Sequence, residues 1–364
     1  MSIATPSPDW TQPSEAASFT TQRLVAMKDL TCETSGVRWL WQGYVARENV
    51  TLLTSQWKTG KTTLLAALLA QLKTGGDLGG LPVTTGKALI VSEESTSFWI
   101  DRHRLLDLGD HLLLSRPHRC CLNDAAWHDL MEELAAAHRK NSVDLLVIDP
   151  LSAFLPGCSE VNFARLKPIL AGLRSLCDLG LAVLLLHHPR KGAVRPGQAS
   201  RGSGMLTSFA DIIVEMFPYR RADDDDRRRR LQTYSRHSAT PRQWVVELNA
   251  EGTHFSGNGD VRNSDFLHEW PTLLSLLGEA KNKLTLEELL ESWPLSFHKP
   301  SFTTLWRWME RATGEGLVQK RGSGRKNEPN RYWLPAKEKE WANDPFYTPS
   351  LDELMEMVAN AHKR

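Results

Sequence analysis

The sequence predicts an α/β fold with a mainly parallel sheet, an antiparallel extension of that sheet and a smaller second domain. Up to about Gly257, short apolar runs alternate with helical patterns, as expected for strands that are buried on both faces of a parallel sheet. After Asp211, extended segments follow one another without helices between them, which predicts the antiparallel extension. From Ser264 onward the chain is helical and rich in tryptophan, which indicates a second domain.

The same patterns predict the domain boundaries. Residues 1–22, rich in Pro, Ser and Thr, are expected to be a flexible segment. The α/β domain is predicted to span 23–260, the smaller domain 264–336, and a tail with a short helix 337–364. The predicted strands of the sheet are Val50–Thr54, Ala88–Ser92, Leu145–Asp149, Ala182–His187 and Asp211–Met216.

Composition limits the function classes. The chain has 364 residues, of which 41% are hydrophobic and 24% charged, and a net charge of +1. Any attraction to nucleic acid must therefore come from local basic clusters. The cysteines form no C-x-x-C pair, and no apolar run approaches the roughly 18 residues of a membrane helix. The first residues lack a basic start followed by an apolar stretch, so we do not expect them to act as a leader. We expect a cytoplasmic protein with no membrane partner.

The segment TLLTSQWKTGKTTLL, which begins at Thr51, joins a strand, a tight turn and a helix, an arrangement typical of a phosphate-binding loop. Lys61 is expected to reach the β and γ phosphates, and the Thr62 hydroxyl to bind Mg²⁺. Ser55 stands where the usual motif has its first glycine, and a capped helix after a strand is the alternative interpretation. The predicted nucleotide contacts are Ser55, Gln56, Trp57, Lys58, Thr59, Gly60, Lys61, Thr62 and Thr63.

Three later strands end in polar residues, at the sheet edge where ligands bind in open α/β folds. Glu93 and Glu94 follow the first of these strands, where one could polarise a water molecule, although acids also favour the first turn of a helix. Asp149 ends the second and suits the shell of a magnesium ion. The third ends in His187 and His188, of which only one can face the site because adjacent strand residues point to opposite faces.

A basic segment follows the histidines. It contains Arg190, Lys191, Arg195 and Arg201 and no acidic residue, so it is either a solvated loop or a contact to nucleic acid.

The segments WLWQGYVARENVTLLTSQWKTGKTTL, ALIVSEES, DLLVIDPLSAFLPG, VLLLHHPRKG and ASRGSGMLTSFADIIVEM, in this order, resemble the RecA-type P-loop ATPases, and among them the RepA-type plasmid and phage replication helicases. The resemblance implies ATP and Mg²⁺ as cofactors, single-stranded DNA at the loops, and a homo-oligomer such as a hexameric ring. It implies Lys61 and Thr62 as phosphate and metal residues, Glu94 as the catalytic glutamate beside Glu93, Asp149 as the metal-shell acid and His188 as the γ-phosphate sensor.

Arg236 in TYSRHS resembles the arginine that such proteins insert into a neighbouring subunit's nucleotide site. Tyr234 and Asp211 depart from the basic residues that related helicases carry there, and a surface pair between Arg236 and Glu247 is the alternative. The block Asp223 to Arg230, four acids followed by four arginines, predicts a solvated hairpin tip, with a DNA-contacting finger as the alternative.

The second domain resembles a winged helix, a reader of duplex DNA that also occurs at protein contacts. Thr285 and Glu288 predict a capping box. On the following helix, Phe302, Leu305, Trp306 and Met309 are predicted to be buried, with Thr304, Arg307, Trp308 and Arg311 on the opposite side. The predicted DNA contacts are Arg307, Arg311, Lys320, Arg321, Arg325 and Lys326.

The leading functional hypothesis is a Mg²⁺-dependent ATPase that acts on DNA, as a replicative helicase or helicase-like motor of a plasmid, phage or mobile element. The first alternative is an ATP-switched DNA-binding regulator or loader that does not unwind. The second is a winged-helix repressor with a degenerate nucleotide loop, which Ser55 would support.

Overall fold

The largest element of the fold is one nine-stranded β-sheet. The computed structural model describes Met27 and residues 36–116, 123–155, 163–189, 204–219, 226–295, 299–325 and 328–343. The chain divides into two units, Met1–Arg38 and Trp39–Arg364, and the described strands and α-helices lie in the second. The strands are β1 (Trp39–Trp41), β2 (Val45–Ala46), β3 (Val50–Thr54), β4 (Gly76–Leu78), β5 (Leu81–Val83), β6 (Ala88–Ser92), β7 (Leu112–Ser115), β8 (Leu145–Asp149), β9 (Ala182–His187), β10 (Ile212–Pro218), β11 (Arg228–Ser235), β12 (Gln243–Leu248), β13 (Phe255–Gly257), β14 (Gln319–Arg321) and β15 (Arg331–Trp333). The helices are α1 (Lys61–Thr74), α2 (Thr96–Leu106), α3 (Asp124–Asn141), α4 (Phe163–Asp178), α5 (Gly204–Phe209), α6 (Val261–Glu279), α7 (Leu286–Glu291), α8 (Phe302–Gly314) and α9 (Pro335–Asn343).

The large sheet has the order β13-β12-β11-β10-β3-β9-β8-β6-β7. Strands from β10 to β7 pair in parallel, and those from β10 to β13 pair antiparallel. Every residue of β3, β6, β8 and β9 is buried. Separate apolar cores cover the two faces, one around α1 and the other around α3 and α4. The predicted α/β class, with its parallel sheet and antiparallel extension, is confirmed.

Four predicted strands have the predicted bounds, and the fifth begins one residue late, at Ile212, and ends two residues late, at Pro218. Sequence patterns missed β7 and a small sheet of order β2-β1-β5-β4, because strands of two to four residues carry little periodic signal. Helix α4 continues through Pro168, although a proline inside a helix usually kinks or interrupts it. Its buried residues Leu166, Leu170 and Leu173 lie on both sides of the proline and hold the helix to the sheet.

The C-terminal helices have a core of their own, which includes Phe266, Leu305, Met309 and Tyr332. The predicted capping box is present: the Thr285 side chain accepts from the Glu288 backbone, and the Glu288 carboxylate accepts from the Thr285 N–H. The hairpin β14–β15 follows α8. Helix α9 begins at Pro335 and so crosses the predicted boundary after residue 336, whereas the short helix predicted from Ser350 onward falls outside the described residues.

The predicted buried side of α8 is partly wrong. Trp308 is 8% exposed and packs against Trp293 at 6.4 Å between ring centroids, whereas Phe302 and Trp306 are 48% and 44% exposed. Leu305 and Met309 belong to both the predicted and the observed stripe, so periodicity alone could not decide which flanking aromatic residues turn inward.

None of the described helices is long and apolar enough to cross a membrane.

Candidate active site

A cavity of about 320 Å³ lies at the carboxyl ends of β3, β6, β8 and β9. The parallel register places Ser92 beside Asp149 and Thr54 beside His187, so residues that follow these strands meet at one edge of the sheet. The cavity is lined by Trp57, Lys58, Thr59, Gly60, Lys61, Thr62, Thr63, Glu93, Glu94, Asp149, Pro150 and His188. The predicted catalytic residues other than Arg236 are therefore brought together.

The backbone conformation of the phosphate loop explains why position 60 is a glycine and why position 55 can be a serine. Gly60 has φ +102°, in the left-handed region that favours glycine, and directly precedes α1. Ser55 does not have a positive φ, so this turn does not require the usual glycine. The Ser55 hydroxyl donates to the Gln56 carbonyl at 3.0 Å and accepts from the Lys61 ammonium at 2.9 Å. The serine is thus part of the hydrogen-bonded loop.

The Lys61 ammonium donates hydrogen bonds to the phosphate loop itself. It donates to the carbonyls of Ser55 at 2.9 Å and Gln56 at 3.3 Å, and it lies 3.1 Å from His188 Nδ1. Burial lowers the pKa of Lys61 to about 8, and the negative charge of Asp149 opposes this effect. A triphosphate in the cavity would supply the negative charge that a buried ammonium needs.

Thr62 and Asp149 present two hard oxygen donors. The Thr62 hydroxyl donates to Asp149 Oδ2 at 3.3 Å. Burial, together with repulsion from Glu94, raises the pKa of Asp149 to about 6, while Thr62, Lys61 and Arg102 oppose the increase. A carboxylate and a hydroxyl are ligands that Mg²⁺ prefers, so these residues fit the ion.

Glu94 is held by Arg102, a residue that the sequence patterns did not single out. The Arg102 guanidinium on α2 donates to both carboxylate oxygens of Glu94, at 2.5 and 3.1 Å, and lies 4.8 Å from the Trp99 ring centroid. Beside this pair, burial and then the Glu94 charge raise the pKa of Glu93, and Arg116 opposes them. The only sequence signal for Arg102 is its place two turns after Glu94, on the helix that begins beside the site.

The two histidines are separated as strand geometry requires. His187 is buried and its Nδ1 lies 3.1 Å from the Thr54 hydroxyl, whereas His188 lines the cavity. With the Lys61 ammonium donating, His188 Nδ1 is the acceptor, which places the proton of a neutral ring on Nε2.

Arg229 is a second residue that the motifs missed, and it corrects the prediction of a solvated tip. Its Nε donates to the carbonyl of Thr59 in the phosphate loop at 2.8 Å, and its Nη1 donates to the carbonyls of Asp226 and Arg228. The Asp226 and Arg228 side chains are 4% and 5% exposed and form an ion pair at 2.8 Å. Asp226, Arg228 and Arg229 are therefore held by an ion pair and by hydrogen bonds to backbone carbonyls, whereas Arg227 is exposed. Residues 220–225 lie outside the described residues.

Arg236 lies away from the cavity. Ile212 pairs with both Thr51 and Ser235, which places Arg236 near the amino end of β3, the opposite edge from the phosphate loop. Its side chain is 72% exposed and lies 3.7 Å from Asp211 Oδ1, rather than beside Glu247, whose carboxylate accepts from Asn258. Arg236 cannot reach the cavity of its own chain, so any role at a nucleotide belongs to another copy.

The predicted DNA contacts form two groups. Arg190, Lys191, Arg195, Arg201 and Lys326 lie outside the described residues. In residues 264–336, which we call the C-terminal unit, Arg307, Arg321 and Arg325 are exposed. Arg311 instead pairs with Glu315 at 2.6 Å and lies 4.2 Å from the Phe266 ring centroid, and Lys320 pairs with Glu310 at 2.8 Å.

The match to a known protein family is consistent with a phosphate-binding site in this cavity. The family model described as the AAA domain (AAA_25) matches residues 13–194, half of the 364-residue chain. The matched range contains the phosphate loop, both acidic strand ends and His188, but not Arg236 or the C-terminal helices. The search of curated proteins found no match. The chain therefore belongs to the AAA domain family and is an ATPase of the P-loop type.

Proposed function

We propose that this P-loop ATPase hydrolyses ATP with Mg²⁺ and acts on DNA, as a helicase or helicase-like motor in the replication of a plasmid, phage or other mobile element. The supporting observation is the convergence of Lys61, Thr62, Glu94, Asp149 and His188 on one cavity. The resemblance to RepA-type helicases supplies the DNA-directed part.

Each residue has a chemical role in this proposal. Backbone N–H groups at the start of α1 and the Lys61 ammonium hold the β and γ phosphates. Thr62 and Asp149 would hold Mg²⁺, which when bound neutralises phosphate charge. Glu94 orients and polarises the attacking water, and Arg102 positions that carboxylate. His188 donates from Nε2 toward the γ-phosphate and couples its presence to the segment that follows β9.

The exposure of Arg236 supports a role in trans. An arginine at the edge opposite its own cavity is placed to enter the cavity of a neighbouring copy if copies associate head to tail. Such a contact generates a ring when the rotation closes, and a hexamer is the arrangement that the resemblance implies. The guanidinium would then stabilise charge on the transferred phosphoryl group.

The proposed DNA contacts divide between the two parts of the chain. Single-stranded DNA would contact the basic segment 190–201, and duplex DNA the unit at 264–336, which we propose is a winged helix. Helices α6 to α8 with the hairpin β14–β15 support this assignment.

The decisive experiment compares ATP turnover without DNA, with single strands and with duplex, alongside the mass in solution with and without ATP. We expect Lys61→Ala to lose nucleotide binding, and Glu94→Gln to retain binding and lose hydrolysis. Absence of DNA stimulation would contradict the DNA-directed part and leave the ATPase intact.

A strand-displacement assay on forked DNA separates a helicase from the ATP-switched regulator or loader. Duplex-stimulated hydrolysis without unwinding would favour the regulator. The hypothesis of a repressor with a degenerate loop depended on Ser55, and the backbone at that position does not need a glycine.

A further inference from the structure

Helix α8 presents two aromatic rings to solvent. Phe302 and Trp306 are 48% and 44% exposed and lie one turn apart, with Arg307 exposed next to Trp306. Large aromatic side chains on a solvent-facing helix surface are unusual when they lie together, and they mark binding surfaces.

The core beneath α8 does not need these rings. Leu305, Met309 and Ala312 are fully buried, and Trp308 fills the remaining space against Trp293. The helix therefore has a complete apolar side facing inward and a second aromatic pair facing outward.

The charge around the rings favours an anionic partner. Glu310 lies one turn beyond Trp306, and its carboxylate is paired with Lys320 of β14 at 2.8 Å. This contact neutralises the acid that lies closest along the helix to Trp306. Arg307, next to Trp306, and Lys299, three residues before Phe302, are exposed.

The available groups suit unpaired bases better than a duplex groove. Groove reading requires hydrogen-bonding side chains that reach base edges. Of the two α8 arginines predicted to contact DNA, Arg311 is engaged with Glu315 and Phe266, and Arg307 alone is exposed. Ring faces, by contrast, stack on bases of any sequence once neighbouring bases no longer cover them.

We propose that Phe302 and Trp306 form a stacking platform for the unpaired bases of single-stranded DNA, with Arg307 contacting the phosphates. The proposal rests on the DNA-directed part of the proposed function and not on ATP hydrolysis. It changes the expected ligand of the C-terminal unit from duplex to single strands.

The test uses the full chain and a fluorescent oligothymidylate of about twenty nucleotides, with a blunt duplex as the second ligand. We expect Trp306→Ala to weaken single-strand binding about tenfold, since stacking contributes roughly 1–3 kcal/mol per base. Trp306→Phe should retain most of the affinity, and Arg307→Ala should reduce the salt dependence by about one phosphate contact. Leu317→Ala, which removes another exposed apolar side chain of this unit, is the matched control and should bind as the parent does.

Photocrosslinking to an oligonucleotide that contains 5-iododeoxyuridine locates the bases directly. We expect the crosslinked peptide to contain Trp306 or Phe302. A bound complex with no crosslink on α8, or single-strand affinity unchanged in folded Phe302→Ala and Trp306→Ala variants, overturns the proposal. Loss of self-association in Trp306→Ala with DNA binding intact would also overturn it, because the rings would then face another copy. If the parent binds no DNA and still hydrolyses ATP, the DNA-directed part of the proposed function fails as well.

Discussion

Replacing Asp149 by asparagine should stabilise the nucleotide-free protein at neutral pH and weaken the binding of magnesium nucleotide. Asp149 is 5% exposed, and its pKa is raised from 3.8 to about 6, first by burial and then by Glu94. The folded state therefore binds a proton that the unfolded state releases between these values. Stability falls as pH rises through that window, and the full cost of the buried charge is present above about pH 6.

The magnitude follows from the shift. Two pKa units at about 1.4 kcal/mol each correspond to roughly 3 kcal/mol at neutral pH and to nearly nothing below about pH 4. In the Asp149→Asn variant, the side-chain amide oxygen can still accept from Thr62, so the substitution removes the charge and keeps the hydrogen bond. The buried Asp149 charge thus lowers the stability of the nucleotide-free protein, and a cation bound to Asp149 would remove this penalty.

The assay is urea denaturation of the parent and Asp149→Asn, without nucleotide or Mg²⁺, at about pH 8 and about pH 4. We expect the variant to be more stable only at the higher pH, and less stable than the parent once Mg²⁺ and nucleotide are added. Asp101→Asn, at an exposed acid on α2, is the control and should show no pH-dependent gain. An equal gain at both pH values, or none at about pH 8, would refute the argument that this charge is penalised by burial.

Three further outcomes are expected. Arg102→Ala should lower kcat about tenfold with little change in KM for ATP, because Glu94 loses its bidentate partner, and Arg102→Lys should restore part of the rate in steady-state assays. Arg229→Ala should weaken ADP binding about tenfold in calorimetry, because the Thr59 carbonyl loses its donor and the phosphate loop its lateral support. Trp57→Phe should remove most of the nucleotide-dependent change in tryptophan emission, since Trp57 is 76% exposed and lines the cavity.

Matched variants control these experiments. Arg104→Ala removes an exposed arginine from α2 and should leave kcat unchanged, and Arg227→Ala does the same for ADP binding beside Arg229. If Arg104→Ala and Arg102→Ala lower kcat equally, then the general loss of positive charge, rather than the loss of the ion pair with Glu94, lowers the rate. An emission change that persists in Trp57→Phe would assign the signal to another tryptophan.

The sequence alone determined the central strands of the large sheet and the residues at their carboxyl ends. Continuous apolar runs can be satisfied only by burial on both faces, so four strands had the predicted bounds. Gly60, Lys61 and Thr62 form a local pattern whose conformation depends on adjacent residues. The polar strand ends then converge because parallel strands end at one edge.

Tertiary structure alone decided the contacts that surround this set. Arg229 reaches the Thr59 carbonyl from 170 residues further along the chain, and no local pattern encodes that hydrogen bond. The side of α8 that is buried was equally undetermined, because apolar residues lie on both sides of the helix and Trp293 selects Trp308 over Trp306. Local periodicity fixes which segments form helices and strands, whereas the choice between two apolar faces depends on which residues elsewhere in the fold pack against the helix.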